Sequence, residues 1–244
     1  MHRFYYAHAD FSQSSITIND PHEVHHIKDV LRLKKGAVVQ VFNAQGQEAD
    51  VVLESMEDRR IQGEVRAVRQ VNSTGAKIIL ACAPPKKGKF ELIIEKATEL
   101  GVDEIIPLKT KRTEVIFEGQ RMAAKLSRFQ AVAQNAVKQS KQARVPLIKP
   151  MTTLGDVLKN LPPGCVALFP SLHDHPQHMR EVLLKADKTK AVVIFIGPEG
   201  DFTPDEVKLA IDHGCLPVSL GSTVLKVETA AIAAVALVRF LHRD

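Results

Sequence analysis

The chain has no tryptophan, only two tyrosines and only three cysteines among its 244 residues. With so few large rings, a platform for stacking single-stranded nucleic acid would have to rely on phenylalanine, so this mode of binding is disfavoured. Cys82, Cys165 and Cys215 are far apart, form no Cys-x-x-Cys pair and lie in or beside apolar runs. They are therefore predicted to be buried thiols rather than metal ligands or disulfide partners, as is typical of a reducing cytosol.

Long hydrophobic segments are also lacking. The N-terminal residues contain no apolar signal region, and the longest apolar stretch, Ala230 to Val238, is far shorter than the ~20 residues that a membrane-spanning helix needs. The composition, 45% hydrophobic and 25% charged, is that of an ordinary globular protein. We therefore expect an unprocessed cytoplasmic protein with no membrane partner, folded as one large domain or two smaller ones.

Motifs for metals and for common nucleotides are equally scarce. His22, His25 and His26, or His173 and His175, could suggest a metal site, but no cysteine or carboxylate completes a convincing set of ligands. The chain contains neither a GxGxxG fingerprint nor a Walker A loop. We predict no bound metal, and the sequence offers no dinucleotide or triphosphate fingerprint.

Positive charge is concentrated in the middle of the chain. The net charge of +5 divides into −1 for residues 1–72, +8 for residues 73–149 and −2 for residues 150–244. A basic segment of this kind is typical of a surface that binds a polyanion such as nucleic acid, although a merely solvated basic face has the same signature.

The first 72 residues are predicted to form a small β-rich domain, a barrel or a sandwich. Runs rich in β-branched residues favour strands at residues 37–42, 49–53 and 61–68. Pro21 to Leu31 is the helical exception, with Asp20 as its cap and Pro21 at the first helical position. The polar residues 72–75 mark the boundary, so we predict one domain over residues 1–72 and a second over residues 73–244.

The second domain is predicted to be α/β. Continuous apolar strands are expected at residues 78–83, from Ile105, and at residues 165–169, 191–196 and 216–220, with helices between them, including one over Arg121–Lys141. Strands without polar alternation favour a parallel sheet covered on both faces. Thr203 to Glu206 form a capping box, and the last helix, Glu228 to Leu241, is apolar nearly all round. Such a helix lies either in the centre of a large core or at an interface with another subunit, and we favour the interface.

Two glycine-bearing loops follow predicted strands, at Gly197–Thr203 and Gly221–Thr229. Both come at the carboxyl end of a parallel strand, where open α/β sheets bind ligands, and glycine lets a ligand approach the backbone. The alternative is that Gly197-Pro198 and Gly221 simply make turns.

These loops carry a resemblance that extends over essentially the whole chain. In order and spacing, the sequence is similar to the ribosomal RNA small subunit methyltransferase E family of the SPOUT superfamily. The similar segments are Phe195–Glu206, Leu220–Ala231, Lys87–Val102, Arg112, Gln139–Ser140, Arg144–Pro146 and His26–Leu33.

The resemblance implies a PUA-like RNA-binding β-barrel followed by a SPOUT domain with a trefoil-knotted parallel sheet. It also implies a homodimer that uses S-adenosylmethionine to methylate N3 of a uridine in small-subunit (16S) ribosomal RNA. The cofactor-binding residues that it implies are Phe169, Gly197, Pro198, Glu199, Gly200, Leu220, Gly221, Val224, Leu225 and Thr229. A SPOUT enzyme acting on another RNA such as transfer RNA, and an RNA-binding module with a degenerate site, are the alternatives.

The sequence departs from the family pattern at three positions. Asp201 replaces a glycine, while Lys226 and Gln142 replace arginines. Lysine keeps the charge but lacks the planar fork that binds phosphate or a base edge in a bidentate manner, and glutamine loses the charge.

Methyl transfer to uridine N3 requires removal of a proton and stabilisation of the charge left on the ring. Lys226 or Arg144 is the candidate cation, and Glu199 or Glu228 the candidate proton or hydrogen-bond acceptor. The alternatives are a phosphate contact for Lys226 and a helix N-terminal charge for Glu228. The candidate RNA contacts are Arg32, Arg112, Arg121, Lys125, Arg128, Lys138 and Lys141.

Overall fold

A computed structural model describes residues 1–43, 46–70, 75–140, 142, 144–170 and 176–243. These residues form two compact units, one made of Met1–Ser73 and Val137–Val145 and the other of Thr74–Ala136 and Pro146–Asp244. The predicted domain boundary at residues 72–75 falls largely outside the described residues.

The first unit is a five-stranded sheet with one short helix. Its elements are β1 (Arg3–Tyr5), β2 (Ser15–Ile18), α1 (Pro21–His25), a π-helical turn (His26–Val30), β3 (Val38–Phe42), β4 (Gln47–Met56) and β5 (Ile61–Gln70). The strand order is β1-β3-β4-β5-β2, with β1 parallel to β3 and the other pairs antiparallel. Alternate residues of β4 (Ala49, Val51 and Leu53) are fully buried, as expected for a sheet with one face on the core.

The predicted helix over Pro21–Leu31 is α-helical only in its first half. Asp20 caps α1 by accepting hydrogen bonds from the backbone N–H groups of His22 (2.9 Å) and Glu23 (3.1 Å), and Pro21 takes the first helical position, as predicted. From His26 the chain widens into a π-helical turn, closed by the Leu31 N–H donating to the His26 carbonyl at 2.9 Å.

A buried ion pair joins α1 to the residues that follow position 136. Lys138 donates to Glu23 Oε1, and the Glu23 side chain is 5% exposed. Lys138 was predicted to contact RNA, but its ammonium group is committed to this carboxylate. A buried carboxylate needs such a partner, because an unpaired charge in the interior is strongly destabilising.

The second unit is an α/β layer structure. Its elements are β6 (Ile78–Cys82), α2 (Phe90–Glu99), β7 (Glu104–Lys109), α3 (Gly119–Ser140, whose last four residues belong to the first unit), β8 (Leu147–Ile148), β9 (Thr152–Thr153), α4 (Leu154–Lys159), β10 (Val166–Pro170), β11 (Gln177–His178), α5 (Met179–Lys185), β12 (Val192–Ile196), α6 (Pro204–Asp212), β13 (Leu216–Ser219), α7 (Val227–Val238) and a π-helical turn (Arg239–Arg243).

All strand pairs of this unit are parallel, in the order β11-β13-β10-β12-β6-β7-β8, with β9 paired to β7. Every residue of the central strands β6 and β12 is buried. The prediction of a parallel sheet covered on both faces is therefore confirmed, and the strand positions agree with the predicted ones to within a few residues.

The last helix has two different apolar faces. Val227, Ala231, Ala234, Val235 and Val238 are buried in the core of the unit. On other sides of the helix, Ile232, Ala233, Ala236 and Leu237 are only partly buried, and Phe240 in the following turn is 65% exposed. One face of α7 thus belongs to this chain's core, and the rest of its apolar surface is not fully covered by the described residues.

All three cysteines carry free thiols. Cys82 and Cys215 are buried, and burial raises the pKa of Cys215 to about 12 and that of Cys82 further, so neither is a reactive thiolate. Cys165 is half-buried, so the prediction of buried thiols is confirmed for Cys82 and Cys215 and not for Cys165. No helix within the described ranges is long and apolar enough to cross a membrane.

We expect the variant Lys138→Met to lower the free energy of unfolding by about 3 kcal/mol, because it leaves Glu23 buried and unpaired. The double variant Lys138→Met/Glu23→Gln removes both charges and should recover most of that loss. Urea unfolding of the wild type and the two variants measures both effects. Equal stability of the wild type and the single variant would contradict the structural role assigned to this pair.

Candidate functional site

A cavity of about 500 Å³ lies at the carboxyl ends of four neighbouring strands of the parallel sheet. Its walls come from the segments that end or follow β6, β10, β12 and β13, together with the first turn of α7. The lining residues are Lys86, Lys87, Lys89, Pro170, Ile196, Gly197, Pro198, Glu199, Asp201, Val218, Ser219, Leu220, Gly221, Thr223, Val224, Leu225, Lys226, Val227, Glu228 and Ala230.

The order of the strands explains why a cavity forms here. Strands β12 and β6 are neighbours, but the chain leaves them in opposite directions: from β6 through α2 to β7, and from β12 through α6 to β13, beyond β10. Where two connections diverge in this way, the loops cannot cover the strand ends, and open α/β sheets bind their ligands in the crevice that remains.

The loop after β12 is held in a shape that depends on its glycine and on a left-handed residue. A Cβ atom at Gly197 would lie 3.0 and 3.1 Å from ring carbons of the buried Phe202, so no side chain fits without a shift. Asp201 has a φ of 59°, which explains why a glycine suits this position, and its Oδ1 accepts a hydrogen bond from the Phe202 N–H at 2.8 Å. Asp201 therefore occupies a left-handed conformation that glycine adopts without steric cost.

Hydrogen bonds tie this loop to its neighbours. Glu199 Oε1 accepts from the backbone N–H of Lys86 at 3.0 Å, which joins the loop after β12 to the loop after β6. On the other side, Arg112 donates to the carbonyl of Gly200 at 2.6 Å. The middle of the loop is therefore held by groups from two other strand connections.

Glu206 is the buried polar centre behind the same loop. Its carboxylate accepts from the N–H of Thr203 at 2.9 Å, which completes the predicted capping box, and from the N–H of Lys111 at 2.8 Å. It is 6% exposed, so these bonds compensate for the burial of its charge. The N-terminus of α6 and the residues after β7 are thereby locked together.

The loop after β13 supplies the opposite wall of the cavity. Gly221 has a φ of 130°, a conformation that L-residues rarely adopt, and the Ser219 hydroxyl donates to its carbonyl at 3.0 Å. Val224 is 78% exposed at the cavity, and Lys226, in extended backbone, directly precedes α7. This wall is therefore apolar with a lysine at its end.

Charged groups surround the opening of the cavity. Lys89 donates to Glu228 Oε1, and this hydrogen bond is the main cause that holds the pKa of Glu228 below its ordinary value, with Lys226 adding to it. Lys86 pairs with the exposed Glu114 at 2.8 Å. The cavity thus offers apolar surface and carboxylates together with several cations.

The structure brings most of the predicted site residues together. The predicted residues that line the cavity are Gly197, Pro198, Glu199, Leu220, Gly221, Val224, Leu225, Lys226 and Glu228. Four others do not line it, each for a different reason. Phe169 is fully buried in the core, 4.2 Å from the ring of Phe202; Gly200 contacts Arg112; Thr229 is exposed on α7; and Arg144 belongs to the first unit.

Three lysines that line the cavity were missed as candidates. Lys86, Lys87 and Lys89 form the turn between β6 and α2, and Lys87 has a φ of 59°. The sequence did contain an indication that these lysines belong to the site. The lysine-rich turn follows an apolar strand and is part of the segment that carries the family resemblance. What the sequence did not reveal is that β6 and β12 are adjacent.

The predicted RNA contacts have different surroundings. Arg121 is exposed, and no ion-pair partner is found for it among the residues that the structure describes, whereas Arg128 pairs with Glu91 at 2.7 Å. Lys125 lies 5.8 and 5.9 Å from the ring centres of Phe117 and Phe129.

Two of the remaining predicted RNA contacts already have partners within the chain: Arg112 donates to the Gly200 carbonyl, and Lys138 donates to Glu23. Arg32 is exposed and has a φ of 50°. Lys141 lies outside the described residues.

Within the described ranges, no three His, Cys, Asp or Glu side chains are placed to hold a metal ion. His173 and His175 lie outside those ranges.

Comparison with known proteins gives matches over nearly the whole chain. Residues 72–239 match the family model of an RNA methyltransferase domain, and residues 18–66 match that of an RNA methyltransferase PUA domain. The ribosomal RNA small subunit methyltransferase E of Rickettsia conorii is 31% identical over 93% of this chain and 91% of its own. The protein of the same name from Mycobacterium bovis is 30% identical over 93% of this chain and 87% of its own.

A solved structure is also similar in fold. The ribosomal RNA small subunit methyltransferase E from Neisseria gonorrhoeae bound to S-adenosyl methionine is 27% identical, with a TM-score of 0.87 over 99% of this chain and 98% of that one.

We expect Gly197→Ala to lower the free energy of unfolding by about 1–3 kcal/mol, because the new methyl group presses on the buried Phe202 ring. Gly155→Ala in α4 is the matched control, since a Cβ there meets nothing within 4 Å, and it should leave stability unchanged or raise it by about 0.5 kcal/mol. Thermal and urea unfolding give the free energy of unfolding of both variants relative to the wild type. If the two substitutions had the same effect, the close contact at Gly197 would not constrain the loop.

Proposed function

This chain belongs to the ribosomal RNA small subunit methyltransferase E family, and we propose that it transfers a methyl group from S-adenosylmethionine to N3 of a uridine in small-subunit ribosomal RNA. The observation that carries the proposal is the cavity between the Gly197 and Gly221 loops at the strand ends of the parallel sheet. The solved relative from Neisseria gonorrhoeae, which has the same fold, is bound to S-adenosyl methionine.

The lining of the cavity fits this cofactor. Leu220, Val224 and Leu225 offer apolar surface for an adenine ring and a methionine chain, and the glycine at position 197 leaves the backbone open to close approach. The residues that we propose to hold the cofactor are the cavity-lining members of the two loops, from Gly197 to Glu199 and from Leu220 to Leu225.

The bound cofactor supplies an activated methyl group, and the protein's task is alignment and charge stabilisation. Displacement at the methyl carbon needs the uridine N3 in line and water excluded, which a walled cavity at fixed loops provides. Loss of the N3 proton leaves negative charge on the uracil carbonyl oxygens. We assign the stabilisation of this charge to Lys226, which lines the cavity, with Arg144 of the first unit as the alternative cation.

The two carboxylates are less suited to take the proton. Glu199 already accepts a backbone hydrogen bond from Lys86, and Glu228 is paired with Lys89, which lowers its pKa and makes it a weaker base. We therefore assign both to hydrogen bonding and shape, while the proton leaves to solvent as the uridine enters.

The remaining parts of the proposal, which concern the homodimer, the knot and the location, rest on the resemblance to the family. The incompletely covered apolar surface of α7, with Phe240 at its end, is proposed as the contact of a homodimer. We also propose that the chain around the cofactor loops forms the trefoil knot of SPOUT proteins and that the enzyme acts in the cytoplasm.

The proposal is tested by calorimetric titration with S-adenosylmethionine and by mapping methylated nucleotides in RNA from cells that lack or regain the gene. We expect saturable heat and one methyluridine in small-subunit ribosomal RNA that depends on the gene. Absence of cofactor heat would favour an RNA-binding module instead. A gene-dependent methyl group in transfer RNA would favour the other SPOUT alternative.

Single-turnover methylation tests the role of Lys226. Lys226→Met should slow methyl transfer by about 10²-fold or more, because a charge-stabilising group is removed from the reacting ring. Lys226→Arg keeps the cation and should retain most of the rate. Unimpaired chemistry in the methionine variant would leave Lys226 with no catalytic role.

Among the basic residues of α3, Arg121 is the one that we propose to contact RNA phosphate. Arg121→Gln should reduce the magnitude of the slope of log affinity against log salt by about 0.7 to 1, as for one lost phosphate contact. Lys188→Gln is the control, because Lys188 is exposed on the amino side of β12, at the sheet edge opposite the cavity. An unchanged slope in the Arg121 variant would place this arginine outside the RNA surface.

A further inference from the structure

Two helices begin at the same wall of the cavity, and one ion pair joins them there. Lys89 is the residue directly before α2, Glu228 is in the first turn of α7, and the Lys89 ammonium donates to Glu228 Oε1. Both residues line the cavity. The Glu228 side chain is 15% exposed and that of Lys89 is 40% exposed, so the carboxylate is the more enclosed of the two.

The charges near Glu228 all favour its ionised form. Lys89 is the strongest influence, followed by the Glu228 backbone N–H at the start of the helix, and Lys226 adds a second cation. The packed strands β6 and β12 carry no charged side chains.

Most other charged groups of the surrounding elements are held by ion pairs or hydrogen bonds, and Lys87, which also lines the cavity, has no ion-pair partner among the described residues. On α2, Glu91 is paired with Arg128 of α3, and Lys96 is paired with both Glu95 and Glu99. In the loop after β12, Glu199 accepts from the Lys86 N–H and Asp201 from the Phe202 N–H. Glu228 therefore depends on Lys89 more than on any other group.

We propose that Lys89 is a positioning residue for methyl transfer, which acts by holding the Glu228 carboxylate in the cavity wall as a fixed hydrogen-bond acceptor for the bound substrate or cofactor. The inference rests on the proposed function and adds a residue to it. The ion pair engages Oε1, and because a carboxylate has about four acceptor sites, capacity remains to accept a hydrogen bond from a hydroxyl or amino group of the ligand.

The pair also explains how the cavity can keep a cation free for the reaction. Two lysines influence Glu228, and its single negative charge is committed to Lys89 by a direct hydrogen bond. Lys226 consequently retains its charge towards the cavity. Without Lys89, the carboxylate would be drawn to Lys226 and would partly neutralise the group that stabilises the uracil anion.

The first test measures the ionisation of Glu228 in the free protein. Glutamate labelled with carbon-13 at the side-chain carboxyl gives a titration curve for each residue, and the variant Glu228→Gln identifies the resonance of Glu228. Lys89→Met should raise the pKa of Glu228, because the opposite charge in contact with it is lost. Lys89→Arg should restore the wild-type titration.

The second test measures single-turnover methylation against pH with cofactor and RNA saturating. A higher pKa means that Glu228 is protonated, and loses its acceptor function, at higher pH. The acid limb of the rate profile should therefore move upward by the same amount in Lys89→Met and stay in place in Lys89→Arg. In a Glu228→Gln background, Lys89→Met should cause no further shift.

Lys96→Met is the matched control. It removes one lysine of α2 that is paired with Glu95 and Glu99 rather than with a residue of the cavity. It should leave both the Glu228 titration and the acid limb unchanged, and unfolding curves of all variants confirm that the fold is kept at each pH used.

Three results would contradict the proposal. One is a Glu228 titration that does not move in Lys89→Met, and another is a titration that moves while the acid limb does not, which would reduce the pair to a structural contact. The third is a wild-type chain that neither binds S-adenosylmethionine nor transfers methyl groups, and this result alone would overturn the proposed function as well.

Discussion

The parallel pairing of β12 with β6 is the interaction on which the candidate site depends. Five residue pairs align the two strands, and backbone bonds extend the pairing at both ends, from Val192 to Lys77 and from Ala83 to Ile196. All ten strand residues are buried, so both faces of this strand pair belong to the core. This pairing places the lysine turn after β6 beside the glycine loop after β12, although more than 100 residues separate them.

The loops at this edge are held by carboxylates, of which Glu206 is buried, as well as by apolar packing. Glu206 fastens the start of α6 to the backbone after β7, Glu199 fastens the loop after β12 to the backbone after β6, and Glu228 holds Lys89. Each of these bonds joins segments that leave different strands. A rigid set of loops is what a transfer reaction needs, because the reacting atoms must be aligned before the step occurs.

Tertiary contacts also reduce the free positive charge of the basic segment, residues 73–149. Residues 73–149 carry a net charge of +8, but several of their lysines are neutralised by carboxylates from other parts of the chain. Lys138 pairs with Glu23, Lys111 with Asp205 and Lys89 with Glu228. The free positive surface is therefore smaller than the count along the sequence indicated, and exposed residues such as Arg121 are what remains of it.

The sequence by itself determined the elements: apolar runs specified the buried strands, the Thr203–Glu206 box fixed the start of α6, and the family motifs located the two loops, because these signals are local. It did not predict the break of the helix at His26, the burial of Phe169 in the core, or the ion pairs of Lys89 and Lys138. Those were decided by the strand order and by contacts between residues far apart in the chain. Side chains distant in sequence become neighbours only once the sheet is assembled, and their charges and burial follow from that.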